Sequence, residues 1–135
     1  MKNKTIAINI SGANARNACN LSGGARNGAL VHMTKTLAVQ LGRYGITVNC
    51  IHPGTTRTER TPSLLAARAK QLGVSAEEAE RQDFAPDSAR GNAICRMVDA
   101  SEIAFVTAFL ASEKAWAVSG ELVAATGGAG RNVYY

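Results

Sequence analysis

The stretch ITVNCI at residues 46–51, stopped by Pro53-Gly54, decides the fold class of this chain. It is a short apolar run rich in β-branched residues, and it lacks the strict alternation of a strand with one exposed face. A similar run, TIAINI, occupies residues 5–10, and a third, GELVAA, occupies residues 120–125. The sequence therefore predicts three strands that are covered on both faces.

Helical patterns separate these strands. Between residues 26 and 43 apolar side chains recur at helical spacing and Gly42 follows them, which predicts an amphipathic helix. Residues 11–25, rich in Ala, Asn, Ser and Gly, are expected to form a loop. Further helices are predicted over 61–72, where Thr61 precedes Pro62, from a capping box of Ser75 with Glu78, and from caps at Asp99 and Glu102. The apolar stripe of the first helix consists of Leu30, Met33, Leu37 and Leu41.

This alternation of strands and helices predicts an α/β fold, in which parallel strands pair through right-handed crossovers. Three visible strands with flanking helices are expected to form part of a doubly wound parallel sheet. Residues 1–135 are interpreted as one domain, because their length suits a single hydrophobic core.

Composition excludes several classes of protein. With 46% hydrophobic and 19% charged residues, the chain is not expected to be disordered. No apolar run approaches membrane-spanning length, so we expect a cytoplasmic protein without a membrane partner. Three widely spaced cysteines, Cys19, Cys50 and Cys95, predict neither a disulfide framework nor a metal site. Basic residues outnumber acidic ones in residues 1–60, but they are spread singly without interleaved aromatics, so nucleic-acid binding is not expected.

The order of short motifs resembles the short-chain dehydrogenase/reductase family. These motifs are NIS at 9–11, NGAL at 27–30, TKTLA at 34–38, GITVN at 45–49 and PGxxxT at 53–58, followed by EIA at 102–104 and GG at 127–128. The match covers nearly the whole chain but only the second half of such a protein. The resemblance implies a Rossmann-like fold, hydride transfer with NAD or NADP, and a helix at 26–43 that packs between subunits.

The residues that would carry the family's chemistry are replaced. The family uses a Tyr as acid or base, a Lys four residues later that lowers its pKa, and a Ser that binds the substrate oxygen. The resemblance places Gly23 at the Tyr position, Asn27 at the Lys position, and the Ser position on Ser11 or Gly12. Ser11 is thus the remaining catalytic candidate. We expect a truncated or degenerate relative of oxidoreductase ancestry with little or no hydride-transfer activity.

The candidate cofactor residues lie after the second strand. The two glycine clusters, at 23–28 and 127–130, are interpreted as turns rather than as the family's phosphate-binding turn, and no acidic residue follows the first at the required distance. The PGxxxT motif lines the cofactor in the family, with Arg57 here adding charge, although the same residues also suit a loop that simply ends a strand. The candidate cofactor-binding residues are Pro53, Gly54, Thr56 and Thr58.

Two other functions stay open. One is a non-catalytic module that pairs with itself or with a full-length relative. The other is a phosphate- or nucleotide-binding remnant at residues 55–58. Of the two histidines, His32 is expected to be exposed or at an interface, and His52 to face a cleft without forming a metal site.

Overall fold

The computed structural model of the chain describes residues 5–12, 15 and 20–131. Three strands form one parallel sheet, in which the order of the strands follows their order in the sequence. Strand β1 spans Thr5–Ile10, β2 spans Ile46–Pro53 and β3 spans Leu122–Ala125. The central strand is buried from residue 47 to residue 52, as its unbroken apolar character requires. The α/β fold class and all three predicted strands are confirmed.

Four α-helices accompany the sheet. They are α1 at Leu21–Leu41, α2 at Thr61–Leu72, α3 at Ala76–Asp83 and α4 at Ala100–Ala111. Short 3₁₀ turns follow α1 at Gly42–Tyr44 and α4 at Glu113–Ala115. Among the described residues, no helix has both the length and the apolar character needed to cross a membrane.

Helix α1 begins five residues earlier than its apolar periodicity predicts. Asn20 is its N-cap, and the side-chain Oδ1 accepts a hydrogen bond from the backbone N–H of Gly23 at 2.7 Å. The predicted loop is therefore wrong for residues 21–25, and Gly23-Gly24 lie in the first turn of a helix rather than in a turn between elements. An Asn cap satisfies one of the N–H groups that a helix start leaves unbonded.

The buried face of α1 differs from the predicted apolar stripe. Its buried residues are Gly23, Thr34 and Ala38. Thr34 Oγ1 accepts a hydrogen bond from Asn9 Nδ2 of β1 at 2.9 Å. Small and polar side chains thus cover the sheet, whereas Met33 of the predicted stripe is 41% exposed.

Two helix ends follow their local sequence closely. Gly73 ends α2 with φ of +68°, a left-handed conformation that favours glycine, and Ser75 Oγ caps α3 by accepting from the Glu78 N–H at 3.1 Å. The Glu78 carboxylate binds Arg81 and Gln82 on its own helix. The pair of Thr61 with Pro62 predicts Thr61 as the N-cap of α2, but Arg60 holds that position and Thr61 is the first helical residue.

The described residues divide into two compact units. Unit 1 comprises the described residues up to Pro53 together with Ser101–Ala125, and its core is built on Ile51, Leu110 and Ala115. On α4, Ile103 and Val106 pack against this core, while Phe109 is 51% exposed. Unit 2 comprises Gly54–Ala100 and the described residues from Thr126 onward, with a core of Leu65, Phe84 and Met97. The single-domain interpretation stays a prediction.

Candidate functional site

Ser11 is held immediately after β1, at the carboxyl end of the sheet. Its backbone N–H donates to the carbonyl of Ile51 at 2.9 Å, which continues the ladder between β1 and β2. The side chain is buried, and its Oγ donates to the main-chain carbonyl of Asn27 at 3.4 Å. The structure therefore brings the predicted Ser and Lys positions into contact.

Gly23 and Asn27 lie one turn apart on α1, so both belong to the same helix face. The Asn27 amide lies over Gly12, because a Cβ added to Gly12 would stand 2.8 Å from Asn27 Nδ2. Of the two candidates for the Ser position, only Ser11 carries a hydroxyl. Of the three positions that the resemblance assigned, Ser11 and Asn27 are thus adjacent and Gly23 lies one helical turn before Asn27. Asn27 carries a neutral amide and Gly23 has no side chain.

Cys50 is a member of this cluster that the sequence did not single out. Cys50 lies on β2, where it pairs in register with Asn9 of β1, and its side chain is fully buried. Burial raises the pKa of the Cys50 thiol, and hydrogen bonds with Ser11 and Thr34 offset only part of that effect. The thiol is therefore protonated near neutral pH and is not a nucleophile in the folded chain.

We expect the Cys50 thiol to react with iodoacetamide about 100-fold more slowly than the exposed Cys95 thiol, because burial limits both access and ionisation. Peptide mass spectrometry at successive times measures both rates, and in concentrated urea the two rates should converge. The folded-state pKa of the Cys50 thiol lies above the ordinary value of 9.0. The protonated thiol therefore adds to the free energy of unfolding below pH 9.0, and this contribution is lost as the pH rises through the folded-state pKa. Equal rates in the folded chain would contradict this assignment.

A cavity of about 530 Å³ lies in unit 1 beside this cluster. Thr34 and Cys50 line it together with the exposed His32 and the exposed ion pair of Lys35 with Glu121, whose Nζ and Oε1 lie 3.3 Å apart. His52 is buried within β2 instead of facing a cleft, so that expectation is wrong. In the described ranges, no three metal-ligating side chains form a group that would hold an ion.

The four candidate cofactor residues fall in different surroundings. Pro53 ends β2 in unit 1, whereas Gly54, Thr56 and Thr58 lie in one loop of unit 2. Gly54 is required there, because a Cβ would stand 2.8 Å from the carbonyl oxygen of Thr126. Relieving such a contact would require the backbone to move, so a residue without a Cβ at this position allows the loop to pack closely against the segment that follows β3.

The threonines of this loop are partly engaged within it. Thr56 Oγ1 donates to the Gly54 carbonyl at 2.9 Å. The Thr58 N–H donates to Thr61 Oγ1 at 2.9 Å, and Thr58 Oγ1 accepts from the Arg60 N–H at 3.3 Å. Thr58 therefore keeps its own O–H proton as a donor, which suits recognition of a neutral amide or hydroxyl.

Arg57 does not supply the free positive charge that the sequence suggested. Its Nη2 lies 2.6 Å from Glu80 Oε1, and its Nε lies 3.0 Å from Asp99 Oδ1. Arg96 also contacts Asp99 at 3.6 Å, so two cations are balanced by two carboxylates. The Arg57 backbone N–H is bonded to the carbonyl of Val98. The cluster is neutral and ties the loop to the segment before α4.

Comparison with known proteins identifies the family. The sequence model described as enoyl-(acyl carrier protein) reductase matches residues 1–130. The NADPH-dependent reductase BacG of Bacillus subtilis is 35% identical over 107 residues, which are 79% of this chain and 39% of that protein. The short-chain reductase protein NovJ of Streptomyces niveus is 34% identical over 122 residues, which are 90% of this chain and 43% of that protein.

Solved structures agree. YwfH, an NADPH-dependent reductase involved in bacilysin biosynthesis, superposes with a TM-score of 0.73 at 30% identity over 93% of this chain and 47% of that one. The parallel sheet is thus that of a Rossmann-like oxidoreductase. This chain belongs to the short-chain dehydrogenase/reductase family. It spans less than half the length of each of these relatives.

Proposed function

We propose that this chain is a short-chain dehydrogenase/reductase relative in which the family's acid/base route for hydride transfer has been lost. The observation that carries the proposal is the placement of Gly23 and Asn27 on one face of α1, with Asn27 in contact with Ser11. A glycine has no proton to transfer, and a neutral amide does not ionise. We infer that the backbone positions of the site are present, but that the side chains needed for proton transfer are not.

Ser11 is the residue that we assign to a substrate oxygen, should one bind here. Its hydroxyl is buried and donates to Asn27 at 3.4 Å, a long hydrogen bond that a stronger acceptor would outcompete. The buried Cys50 thiol beside it holds its proton, so it contributes a weak donor rather than a base. In this arrangement the site binds and orients an oxygen without moving its proton.

NAD or NADP is the cofactor class that the family supports, and NADPH is favoured because BacG and YwfH are NADPH-dependent reductases. Pro53, Gly54, Thr56 and Thr58 would hold the nicotinamide end, which supplies the hydride when bound. The Thr58 hydroxyl fits a neutral carboxamide. The neutral cluster around Arg57 does not fit a pyrophosphate, which weakens the case for a phosphate-binding remnant.

Incubation of the chain with NADPH or NADH and a panel of carbonyl compounds tests the proposal. Consumption of the reduced cofactor should exceed the rate in buffer by no more than a trace, about 10²–10⁴-fold below that of a relative with the Tyr and Lys, and Thr58→Ala should not abolish that trace. Steady turnover that Thr58→Ala abolishes would show an enzyme that uses this loop by another route, and it would overturn the proposal.

A second candidate function, self-association in the cytoplasm, follows from what the sheet leaves uncovered. Because α1 packs through Thr34 and Ala38, it leaves Met33 41% and Val39 74% exposed. Strand β1 pairs only with β2 among the described strands, so its other edge carries unpaired backbone groups in this structure. A second copy of the chain, or a full-length relative, would cover both surfaces.

We therefore expect the chain to sediment as a dimer or larger species at micromolar concentration, burying about 800 Å² per subunit. A Val39→Lys variant should shift the population toward monomer because it places a charge on the outer surface of α1. A Gln40→Lys variant on the same helix controls for added charge. A wild-type chain that sediments entirely as a folded monomer would rule this function out.

A further inference from the structure

A larger cavity lies wholly within unit 2. It has a volume of about 1020 Å³ and is bordered by α2, by the end of α3 and by the loops at residues 55–58 and 88–90. That volume is at the upper end of what small-molecule sites occupy. All of its lining residues belong to unit 2.

The charges in this cavity do not cancel. Three charged side chains, Arg68, Arg90 and Asp83, occur among the lining residues, all of which the structure describes. Asp83 Oδ1 accepts from both Nε and Nη2 of Arg68, at 3.1 and 3.0 Å. Arg90 Nη1 lies 4.0 Å from Asp83 Oδ2, beyond hydrogen-bond distance, and its side chain is 65% exposed. Two guanidinium groups therefore share one carboxylate, leaving one positive charge in excess.

Part of the cavity lining is apolar. Leu65 and Met97 line it and belong to the core cluster that also contains the buried Phe84. Two residues with hydroxyl groups, Thr58 and Ser88, also line the cavity. A ligand in this cavity would thus meet both a cation and buried hydrocarbon.

We propose that this cavity binds a small monoanionic carboxylate with an apolar body. One carboxylate neutralises the excess charge, and it would bind at Arg90, whose loose contact with Asp83 leaves the guanidinium able to turn toward a ligand. A phosphate ester carries nearly two charges and would leave the cavity negative. The apolar body would lie against Leu65 and Met97. Binding of this ligand needs neither cofactor nor turnover. Calling the ligand a substrate would rest on the proposed function, but its binding does not.

Binding of simple probes to the full 135-residue chain tests this assignment. Calorimetry and two-dimensional NMR would be run with 4-phenylbutyrate, hexanoate and cinnamate, each paired with its primary amide, and with phenyl phosphate. We expect the carboxylates to bind at least tenfold more tightly than their amides and to shift the backbone amide signals of Thr58, Arg68 and Arg90.

Arg90→Gln should weaken carboxylate binding about fivefold and leave amide binding unchanged. Arg81→Gln is the matched control, because Arg81 is 75% exposed on α3, pairs with Glu78 and is not among the lining residues. Circular dichroism establishes that both variants fold. The assignment fails if no carboxylate binds, if amides or phenyl phosphate bind more tightly, or if the two variants behave alike. A failure of this test would not affect the proposal that acid/base-assisted hydride transfer has been lost, because no step of the test involves a cofactor.

Discussion

Carbonyl reduction by this chain is expected to be about 10²–10⁴-fold slower than by a family member that carries the Tyr and Lys, since that is the usual contribution of general acid/base catalysis. A phenol with a pKa of about 10 needs a neighbouring cation to act near neutral pH. Here the two positions hold Gly23 and Asn27. The ratio of kcat/KM values, measured with NADPH against the same carbonyl compounds, gives the comparison.

A double variant tests whether the missing acid/base pair alone accounts for the low activity. Gly23→Tyr with Asn27→Lys restores both groups on the same face of α1. We expect its activity to stay within threefold of the unmodified chain, because neither glycine cluster of the described residues forms a phosphate-binding turn between a strand and a helix. Residues 23–28 are helical, and Gly127 and Gly128 have φ of +66° and +77° in a turn after β3. Relative-like rates in the unmodified chain would refute both expectations.

The sheet could be predicted from the sequence because its signal is local. Strand β2 is buried over residues 47–52, so nearly every residue had to suit the core and the run carried no alternation. The start of α1 could not be predicted in this way. Residues 21–25 are rich in small residues, as loops are, and only the Asn20 cap marks them as helical. The predicted apolar stripe failed for a related reason: α1 meets β1 through a hydrogen bond that Asn9 Nδ2 donates to Thr34 Oγ1, and no local apolar pattern marks such a contact.

The candidate site likewise has features that the sequence could predict and features that it could not. The order of motifs assigned Ser11 and Asn27 to the Ser and Lys positions, and in the structure the Ser11 hydroxyl donates to the Asn27 carbonyl at 3.4 Å. The roles of both residues stay a prediction. Cys50 was missed because its approach to Ser11 depends on strand register, which pairs it with Asn9. The neutralisation of Arg57 was missed because Glu80 lies 23 positions away and no local pattern joins them.

Loss of the Glu80 carboxylate is expected to destabilise unit 2 by about 2 kcal/mol in Glu80→Gln and by about 3 kcal/mol in Glu80→Ala. Glu80 is only 9% exposed, and its Oε1 accepts from Arg57 Nη2 at 2.6 Å and from the backbone N–H of Met97 at 3.1 Å. Gln retains a weaker acceptor, whereas Ala leaves the buried Met97 N–H without its partner. Both values lie below the full penalty for a broken buried ion pair, because the Arg57 side chain is 38% exposed and remains bonded to Asp99.

Urea unfolding followed by circular dichroism measures these free energies, and hydrogen exchange at the Met97 amide reports the local effect. Glu59→Gln, the same change at an exposed carboxylate of unit 2, should alter neither. In Glu80→Ala the Met97 amide should exchange at least tenfold faster, because its hydrogen-bond acceptor is gone. If Met97 exchange and the unfolding midpoint in Glu80→Ala matched those of Glu59→Gln, the Arg57–Glu80 contact would not be what joins the loop after β2 to the segment before α4. The argument that Glu80 balances the charge of Arg57 would then lose its support, and binding of a phosphate group would again be a competing function for residues 55–58.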